Sequence, residues 1–156
     1  MKNVLMCFGN GGHRAQANRI QKKLRDRYDD INYFSITDRG DAPGWSINHL
    51  SIGEVRDKDN GKYISPLNLI KKILQVYKFI RNNNITSVIS TGPGISLIVY
   101  LASLFLVKKF IHIETWSKFE GITLTTKFLY FLQCEVLYQN EELEIYLPKG
   151  KFVGRL

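Results

Sequence analysis

The sequence has 156 residues, of which 44% are hydrophobic and 23% charged, and its formal net charge is +8 at pH 7. This length suits one domain with its own hydrophobic core, so we expect residues 1–156 to form a single domain. The positive charge favours an anionic partner, such as a phosphorylated substrate or an anionic membrane surface. We expect no nucleic-acid partner, because the lysines and arginines are dispersed and no aromatic residues alternate with a basic cluster.

The cysteine content and the amino-terminal residues indicate the cellular compartment of the protein. Cys7 and Cys134 lie in apolar surroundings, which is typical of reduced core residues in a cytosolic protein. No Cys/His cluster has the spacing of a zinc site, so we predict no metal. The first residues lack the apolar core of a signal peptide, and we therefore expect a cytoplasmic protein.

A glycine loop joins the first predicted strand to the first predicted helix. Val4–Phe8 is an apolar run that predicts a buried strand, and residues 9–13 follow as Gly-Asn-Gly-Gly-His. Apolar residues then recur every three or four positions, at Ala17, Ile20, Leu24 and Tyr28. Such a loop directs several backbone N–H groups and a positive helix end at one point, which suits a phosphate. His13 adds a group that can exchange a proton near neutral pH.

Several interpretations of this loop remain open. A dinucleotide site would have a small residue where Arg14 stands, although Asp38 is an acceptable acidic partner for a ribose. An ATP-type P-loop is excluded, because no Gly-Lys-Ser/Thr follows. A site for a sugar-linked diphosphate and a simple tight turn are the other two possibilities.

The next segment is irregular. Residues 31–36 predict a second strand. From Thr37 to Ser65 the pattern of apolar residues is irregular, and we expect one more strand around Ile47–Ile52. Asp57-Lys58-Asp59 resembles the acidic pair that holds a metal in some glycosyltransferases, but the Asn-Gly that follows it favours a solvated turn.

A second glycine loop follows the next helix and strand. Ser65 and Pro66 predict a helix start, and the helix should end near Asn82–Asn84. Residues 85–90 predict a strand, and Thr91-Gly92-Pro93-Gly94 follows it directly. Because such turns gather at the carboxyl edge of a parallel sheet, we expect both glycine loops to face one crevice.

The apolar run Ile95–Val107 is too short to span a bilayer, and predicts a helix buried against the sheet, with a surface that dips into the membrane as the alternative. A strand over residues 110–114 should place Glu114 at the ligand edge of the sheet, whereas His112 is expected to be a packed strand residue. The remaining predictions are a helix over 123–132, a strand over 135–138, a small helix over 141–146 and a strand over 151–153. This alternation predicts an α/β, three-layer sandwich with a mostly parallel, Rossmann-like sheet.

Four motifs occur in an order that resembles a known family. They are Gly9-Asn10-Gly11-Gly12-His13, Ser90-Thr91-Gly92-Pro93-Gly94, Ile111-His112-Ile113-Glu114-Thr115 and Phe152-Val153-Gly154-Arg155-Leu156. Together they resemble the PssD/CpsF-type polysaccharide biosynthesis proteins, and also the membrane-anchor subunit of the dolichol-pathway N-acetylglucosaminyltransferase. Such proteins look like the amino-terminal half of a GT-B glycosyltransferase.

The resemblance implies one subunit of a split, inverting glycosyltransferase at the inner face of the cell membrane. This subunit would bind a lipid-diphosphate-sugar acceptor, and a partner protein would hold the UDP-sugar donor, with no cofactor and no metal. By the same resemblance, His13 would be the general base and Glu114 would orient the acceptor or assist the base. The residues around the acceptor diphosphate would be Gly9, Asn10, Gly11, Gly12, Thr91, Gly92 and Gly94.

Two departures from the family pattern bear on these roles. Relatives often carry Glu where this chain has Gln16, so a role that needs a charge there is excluded by the residue itself. The anchored eukaryotic members begin with a membrane helix, whereas here Met1 leads directly into the first strand, so we expect membrane contact through the surface. An NAD(P)-binding oxidoreductase, with Asp38 on the ribose, and a non-catalytic scaffold that recruits a transferase are the alternative functions.

Overall fold

A computed structural model describes residues 1–54 and 64–155 of the chain. The strands in this part are β1 (Lys2–Phe8), β2 (Ile31–Thr37), β3 (His49–Ser51), β4 (Ser87–Ser90), β5 (Lys109–Ile113), β6 (Glu135–Tyr138) and β7 (Lys151–Phe152). The helices are α1 (Gly12–Arg25), α2 (Pro66–Asn82), α3 (Ile95–Ser103) and α4 (Leu124–Phe131), with a 3₁₀ turn at Glu141–Leu143. Asp57-Lys58-Asp59 lies outside the described residues.

The described strands form one parallel sheet in the order β3-β2-β1-β4-β5-β6-β7. Helices cover both faces, because α1 packs over β1 with Val4 and Met6, whereas α2 and α3 pack on the opposite face with Leu5 and Cys7. The predicted α/β class and three-layer, Rossmann-like architecture are therefore confirmed. The order reverses at β1, since the chain first builds outward to β2 and β3 and then returns to place β4 on the other side.

The side chains along β1 fit its position inside the sheet, between β2 and β4. Residues 4–8 are all buried, which requires apolar packing on both faces of the sheet. Both cysteines are free and buried, and burial raises the pKa of each thiol to about 12. Cys7 and Cys134 are thus core residues, as the sequence predicts.

The helix starts follow capping rules that can be read from the sequence. The Ser65 side chain accepts a hydrogen bond from the backbone N–H of Asn68, with Pro66 in the first turn of α2, and Thr123 caps α4 through the N–H of Thr126. These caps satisfy backbone donors that a helix leaves unpaired at its amino end.

Two α-helix ends differ from the prediction, and the small helix predicted over 141–146 is only a 3₁₀ turn at Glu141–Leu143. Tyr28 is not on the buried face of α1, because the helix ends at Arg25 and Tyr28 lies half exposed in the turn beyond it. The predicted helix over 95–107 stops at Ser103, whose carbonyl oxygen accepts from the N–H groups of both Leu106 and Val107 and so closes a turn. Its inner side chains are buried, as expected, but Phe105 after the last turn is 99% exposed. Within residues 1–54 and 64–155, no helix combines the length and apolar character needed to cross a bilayer.

Candidate functional site

A small cavity of about 60 Å³ opens at the carboxyl edge of the sheet, where β1, β4 and β5 end. Its lining comes from both glycine loops, from β5 and from the start of α4: His13, Thr91, Gly92, Pro93, His112, Ile113, Glu114, Thr115, Thr123 and Thr125. The strand order reverses at β1, so the cavity lies beside the topological switch point, where ligands bind in open α/β sheets.

The two glycine loops are held against each other. The Thr91 hydroxyl donates to the carbonyl oxygen of His13 over 3.1 Å, and the Thr91 N–H donates to the carbonyl of Cys7 over 2.9 Å. Gly9 lies so close to the second loop that a Cβ atom there would be 2.9 Å from Cδ of Pro93. The predicted meeting of both loops at one crevice is confirmed, and His13 and Gly92 line the same cavity.

In the first loop, the backbone conformation favours glycine at position 11, and the space around positions 11 and 12 is open. Gly11 has φ of 68°, a left-handed conformation that favours glycine, and it lies directly before α1. A Cβ atom on Gly11 or Gly12 would have no neighbour within 4 Å, so both are exposed to an approaching ligand. This openness suits a diphosphate, and their contact with it stays a prediction.

Five of the seven predicted diphosphate residues do not line the cavity: Gly9, Asn10, Gly11, Gly12 and Gly94. Gly9 packs against Pro93, and Gly94 has ordinary helical dihedral angles just before α3. The side chain of Asn10 extends away toward Gly40, in the turn after β2. A diphosphate that contacts Asn10 would therefore have to lie over the outer surface of the loop.

His13 has an unsatisfied nitrogen. Its Nδ1 atom is buried and has no hydrogen-bond partner among the described residues. Its backbone is fixed by Thr91, whereas its ring borders the cavity. A buried polar atom without a partner carries a free-energy cost.

His112 belongs to a buried hydrogen-bond chain that the sequence does not predict. Its Nε2 lies 2.9 Å from the Thr126 hydroxyl, and its Nδ1 lies 3.4 Å from the Ser90 hydroxyl. Ser90 in turn donates to Ser96, which donates to the carbonyl of Gly92 over 2.7 Å. The chain thus ties the second glycine loop to α4. Burial lowers the pKa of His112 to about 3, with a further contribution from nearby His13, so the imidazole is neutral at pH 7.

Glu114 forms hydrogen bonds to both ends of the loop that borders the cavity. It is 1% exposed, and its two carboxylate oxygens accept hydrogen bonds from the backbone N–H groups of Thr115 and Thr123, each over 2.8 Å. These contacts favour a positioning role, because the carboxylate holds both ends of the 115–123 loop.

Replacing Glu114 by glutamine should lower the free energy of unfolding by about 1–3 kcal/mol, because the amide NH₂ group cannot accept from a backbone N–H and leaves that buried donor unpaired. Urea denaturation monitored by circular dichroism measures this loss. Glu120→Gln is the matched control, since this carboxylate belongs to the same loop and is exposed. An equal free energy of unfolding for both variants would contradict the positioning role.

Two buried glutamines form hydrogen bonds to the backbone of Glu114. The Nε2 groups of Gln16 and Gln139 both donate to the Glu114 carbonyl oxygen, over 3.3 and 3.1 Å. Gln16 is wholly buried, and its Oε1 has no partner among the described residues. The sequence contains a sign that Gln16 has a special contact. Gln16 lies four residues before Ile20, so it places a polar side chain on the apolar face of α1.

The closing motif of the chain contacts the loop that follows Glu114. Asn140 donates through Nδ2 to the carbonyl oxygens of Trp116 and Lys118, and its Oδ1 accepts from Nε of Arg155 over 3.2 Å. The Arg155 guanidinium lies over the ring of Phe119, at 5.0 Å from its centroid. The residues before the carboxyl terminus thus hold the 115–121 loop in place.

The region near Asp38 bears on the dinucleotide interpretation. Asp38 lies just after β2 and accepts from the Arg39 N–H over 2.8 Å. Its carboxylate lies close to the first loop, 3.1 Å from where a Cβ atom on Gly9 would stand, while the side chains of Asn10 and Arg14 reach toward Gly40. As for metals, no group of three His, Cys, Asp or Glu residues within 1–54 and 64–155 is arranged to hold an ion. Metal-free chemistry stays a prediction.

The sequence matches no protein-family model and no curated protein. Solved structures with a similar fold include MurG from Acinetobacter baumannii, with a TM-score of 0.68 and 15% identity over 91% of this chain and 43% of MurG. They also include the UDP-GlcNAc 2-epimerase of Methanocaldococcus jannaschii, with a TM-score of 0.65 and 13% identity over 97% of this chain and 45% of that enzyme. The chain therefore spans less than half the length of these enzymes, and it has the fold of the amino-terminal half of a GT-B-type enzyme.

Proposed function

We propose that this chain is the acceptor-binding subunit of a split, inverting glycosyltransferase of the PssD/CpsF type. It would bind a lipid-diphosphate-linked sugar, and a partner subunit would supply the UDP-sugar site, in the biosynthesis of a capsular or exported polysaccharide or another oligosaccharide. The observation that carries the proposal is the cavity at the switch point, which His13 and Gly92 of the two glycine loops line together and where the His13 imidazole has a nitrogen without a partner among the described residues.

The chemistry follows from these groups. A sugar hydroxyl becomes a good nucleophile when a base accepts its proton as the new bond forms. In the proposed reaction the His13 imidazole accepts that proton, while the N–H groups of the first loop and the amino end of α1 attract the acceptor diphosphate. The GT-B fold of MurG supports a transferase. Arg14 stands where the dinucleotide-binding pattern has a small residue, which favours this function over an oxidoreductase.

Reconstitution tests the proposal directly. The purified chain, a donor-binding partner subunit, a labelled UDP-sugar and a polyprenyl-diphosphate-sugar should together produce labelled lipid, whereas either protein alone should not. Lack of transfer by the complete mixture, with binding of the two proteins established, would contradict the proposal. Tight binding of NAD or NADP by this chain would instead support the oxidoreductase.

An exposed apolar stripe on α2 supports contact with a membrane. Leu67, Ile70, Leu74 and Tyr77 recur every three or four residues on the outer surface of α2, while Val76 and Ile80 face the core. Exposed Lys71 and Lys78 lie on the same helix and complement anionic headgroups. We propose that this stripe brings the acceptor site to the inner face of the cell membrane.

Leu74→Glu should weaken binding to anionic vesicles by about tenfold or more, because inserting a leucine into lipid contributes about 1.5–3 kcal/mol. Flotation with phosphatidylcholine vesicles, with and without phosphatidylglycerol, measures the change. Ile47→Glu is the matched control, as this side chain is 64% exposed and lies outside the stripe. If both variants float as the unmodified chain does, the stripe is not the membrane contact.

A further inference from the structure

The hydrogen bonds around the buried imidazole of β5 have one end at which the donor is certain. The carbonyl oxygen of Gly92 only accepts, so Ser96, at 2.7 Å, donates its hydroxyl proton to it. Ser96 therefore accepts from Ser90, and this bond uses the hydroxyl proton of Ser90. Only lone pairs of the Ser90 oxygen remain for its other neighbour, Nδ1 of His112, at 3.4 Å. The ring proton of His112 therefore belongs on Nδ1.

The second ring nitrogen of His112 fits the same assignment. The residue is 2% exposed, and burial lowers its pKa to about 3, so at pH 7 only one ring nitrogen carries a proton. With that proton on Nδ1, Nε2 accepts from the Thr126 hydroxyl over 2.9 Å, and Thr126 accepts from the Thr123 hydroxyl over 2.8 Å. With the proton on Nε2, the lone pairs of Nδ1 and of the Ser90 oxygen would face each other inside the protein, which is unfavourable.

These hydrogen bonds all run in one direction, from the start of α4 to the second glycine loop. We call the six participating residues the His112 network: Thr123, Thr126, His112, Ser90, Ser96 and Gly92. The network keeps the Gly92 carbonyl oxygen directed at Ser96, which does not line the cavity. The partial negative charge of this oxygen is thereby held away from the site where an anionic acceptor would approach.

The second glycine loop connects this network to the proposed general base. Thr91 lies between two members of the network, Ser90 and Gly92, and its hydroxyl donates to the carbonyl oxygen of His13 over 3.1 Å. Gly92 has little room to shift, because a Cβ atom there would be 3.2 Å from the backbone of Phe8. A change in the network therefore moves Thr91, and with it the amino end of α1 that carries His13.

We propose that His112, as the neutral Nδ1–H tautomer, is a positioning residue that fixes the second glycine loop and thereby places His13 at the cavity. The effect on transfer rests on the proposed function, whereas the tautomer rests on the hydrogen bonds alone. The ring of His112 borders the cavity, but both of its nitrogens bind side chains of the fold, so it does not exchange a proton with the acceptor. Because the two imidazoles interact electrostatically, a neutral His112 also allows His13 to become protonated without a second positive charge beside it.

Long-range ¹H–¹⁵N NMR spectra of the purified, ¹⁵N-labelled chain at pH 7 determine the tautomer. The His112 signals are identified by their absence from the spectrum of His112→Gln. We expect Nδ1 to resonate as a protonated ring nitrogen and Nε2 as an unprotonated one. The opposite assignment, or an average of the two forms, would overturn the proposal. This measurement needs neither substrate nor partner, so its result does not depend on the proposed function.

His112→Asn and His112→Gln are matched variants that each keep one half of the network. The asparagine amide lies at the position of Nδ1 and donates to Ser90, whereas the glutamine amide lies near Nε2 and keeps only the contact with Thr126. We expect His112→Gln to lower kcat for sugar transfer by about 10- to 100-fold with KM unchanged, the cost of misplacing a base by about 1 Å. His112→Asn should retain most of the activity. Both variants are assayed well below their unfolding temperatures, since both should be less stable.

Ser103→Ala is the control for the loss of a buried hydroxyl outside the network. Ser103 donates to the Tyr100 carbonyl over 2.9 Å on α3, so this variant should lose stability and keep its kcat. An unchanged kcat in His112→Gln, or an equal loss in His112→Asn, would overturn the positioning role.

A second measurement separates this proposal from the proposed function. If the unmodified chain and its partner transfer no sugar, the proposed function fails, and the backbone amide resonances of Thr91 and His13 then test the positioning role. They should shift in His112→Gln and stay near their original positions in His112→Asn. Equal shifts in the two variants, or no shift in either, would overturn the link from His112 to His13.

Discussion

Replacing His13 by alanine should lower the rate of sugar transfer by about 10²–10⁴-fold, the usual contribution of a positioned general base. The ring borders the cavity, and its Nδ1 atom has no protein partner among the described residues, so the loss of this atom breaks no hydrogen bond of the fold. The backbone link from Thr91 uses the His13 carbonyl oxygen and remains in the variant. Initial rates with the partner subunit and labelled UDP-sugar measure the effect.

His49→Gln is the matched control for this experiment. His49 lies on β3, where its Nδ1 is 2.8 Å from the Ser35 hydroxyl, and it does not line the cavity. We expect near-normal transfer from this variant and normal vesicle binding from both. A His13→Ala variant that transfers sugar at the unmodified rate would exclude the general-base role, and would favour a scaffold that recruits the partner to the membrane.

His112 should make the fold less stable in acid. Its pKa is about 3 in the folded chain, against an ordinary value of 6.5. As the pH falls below about 6.5, the unfolded chain binds a proton at His112 that the folded chain does not. The free energy of unfolding should therefore fall by up to about 1.4 kcal/mol per pH unit from this residue, until the pH approaches 3. In His112→Gln this contribution is absent, so the slope between pH 6.5 and 4 should be shallower.

Urea denaturation at several pH values from 7 to 4 measures this slope. Ser90→Ala is the matched control, because it removes a neighbour of the imidazole and keeps the titrating group. We expect Ser90→Ala to lower the free energy of unfolding at every pH while the slope stays near that of the unmodified chain. An unchanged slope in His112→Gln would show that the imidazole does not titrate below its ordinary pKa.

Much of the fold can be predicted because local chemistry and tertiary packing agree. The strand over 135–138 and the capped start of α2 appear where the sequence places them. The errors occur where no local residue marks the end of an element. Nothing in residues 95–107 distinguishes the helical part from the turn after Ser103, since apolar residues continue throughout.

The site could be predicted only in part. Glycine loops and strand ends reveal which residues reach the carboxyl edge of the sheet, and they bring His13, Gly92 and Glu114 into one cavity. The supporting groups depend on contacts between residues far apart in the chain, such as Gln139 with Glu114 and Ser90 with His112. A sequence pattern shows that a polar residue interrupts an apolar face, but it does not show which distant group it contacts.

The interior position of β1, between β2 and β4, has a consequence for biosynthesis. One edge of this strand pairs with β2, where Lys2 lies opposite Ile31, while the other edge pairs with β4, where Val4 lies opposite Ser87. A nascent chain therefore leaves one edge of its most apolar strand unpaired until Ser87–Ser90 has emerged from the ribosome. Because an unpaired strand edge promotes aggregation, we expect chaperone binding to this protein during translation to be strongest before that point.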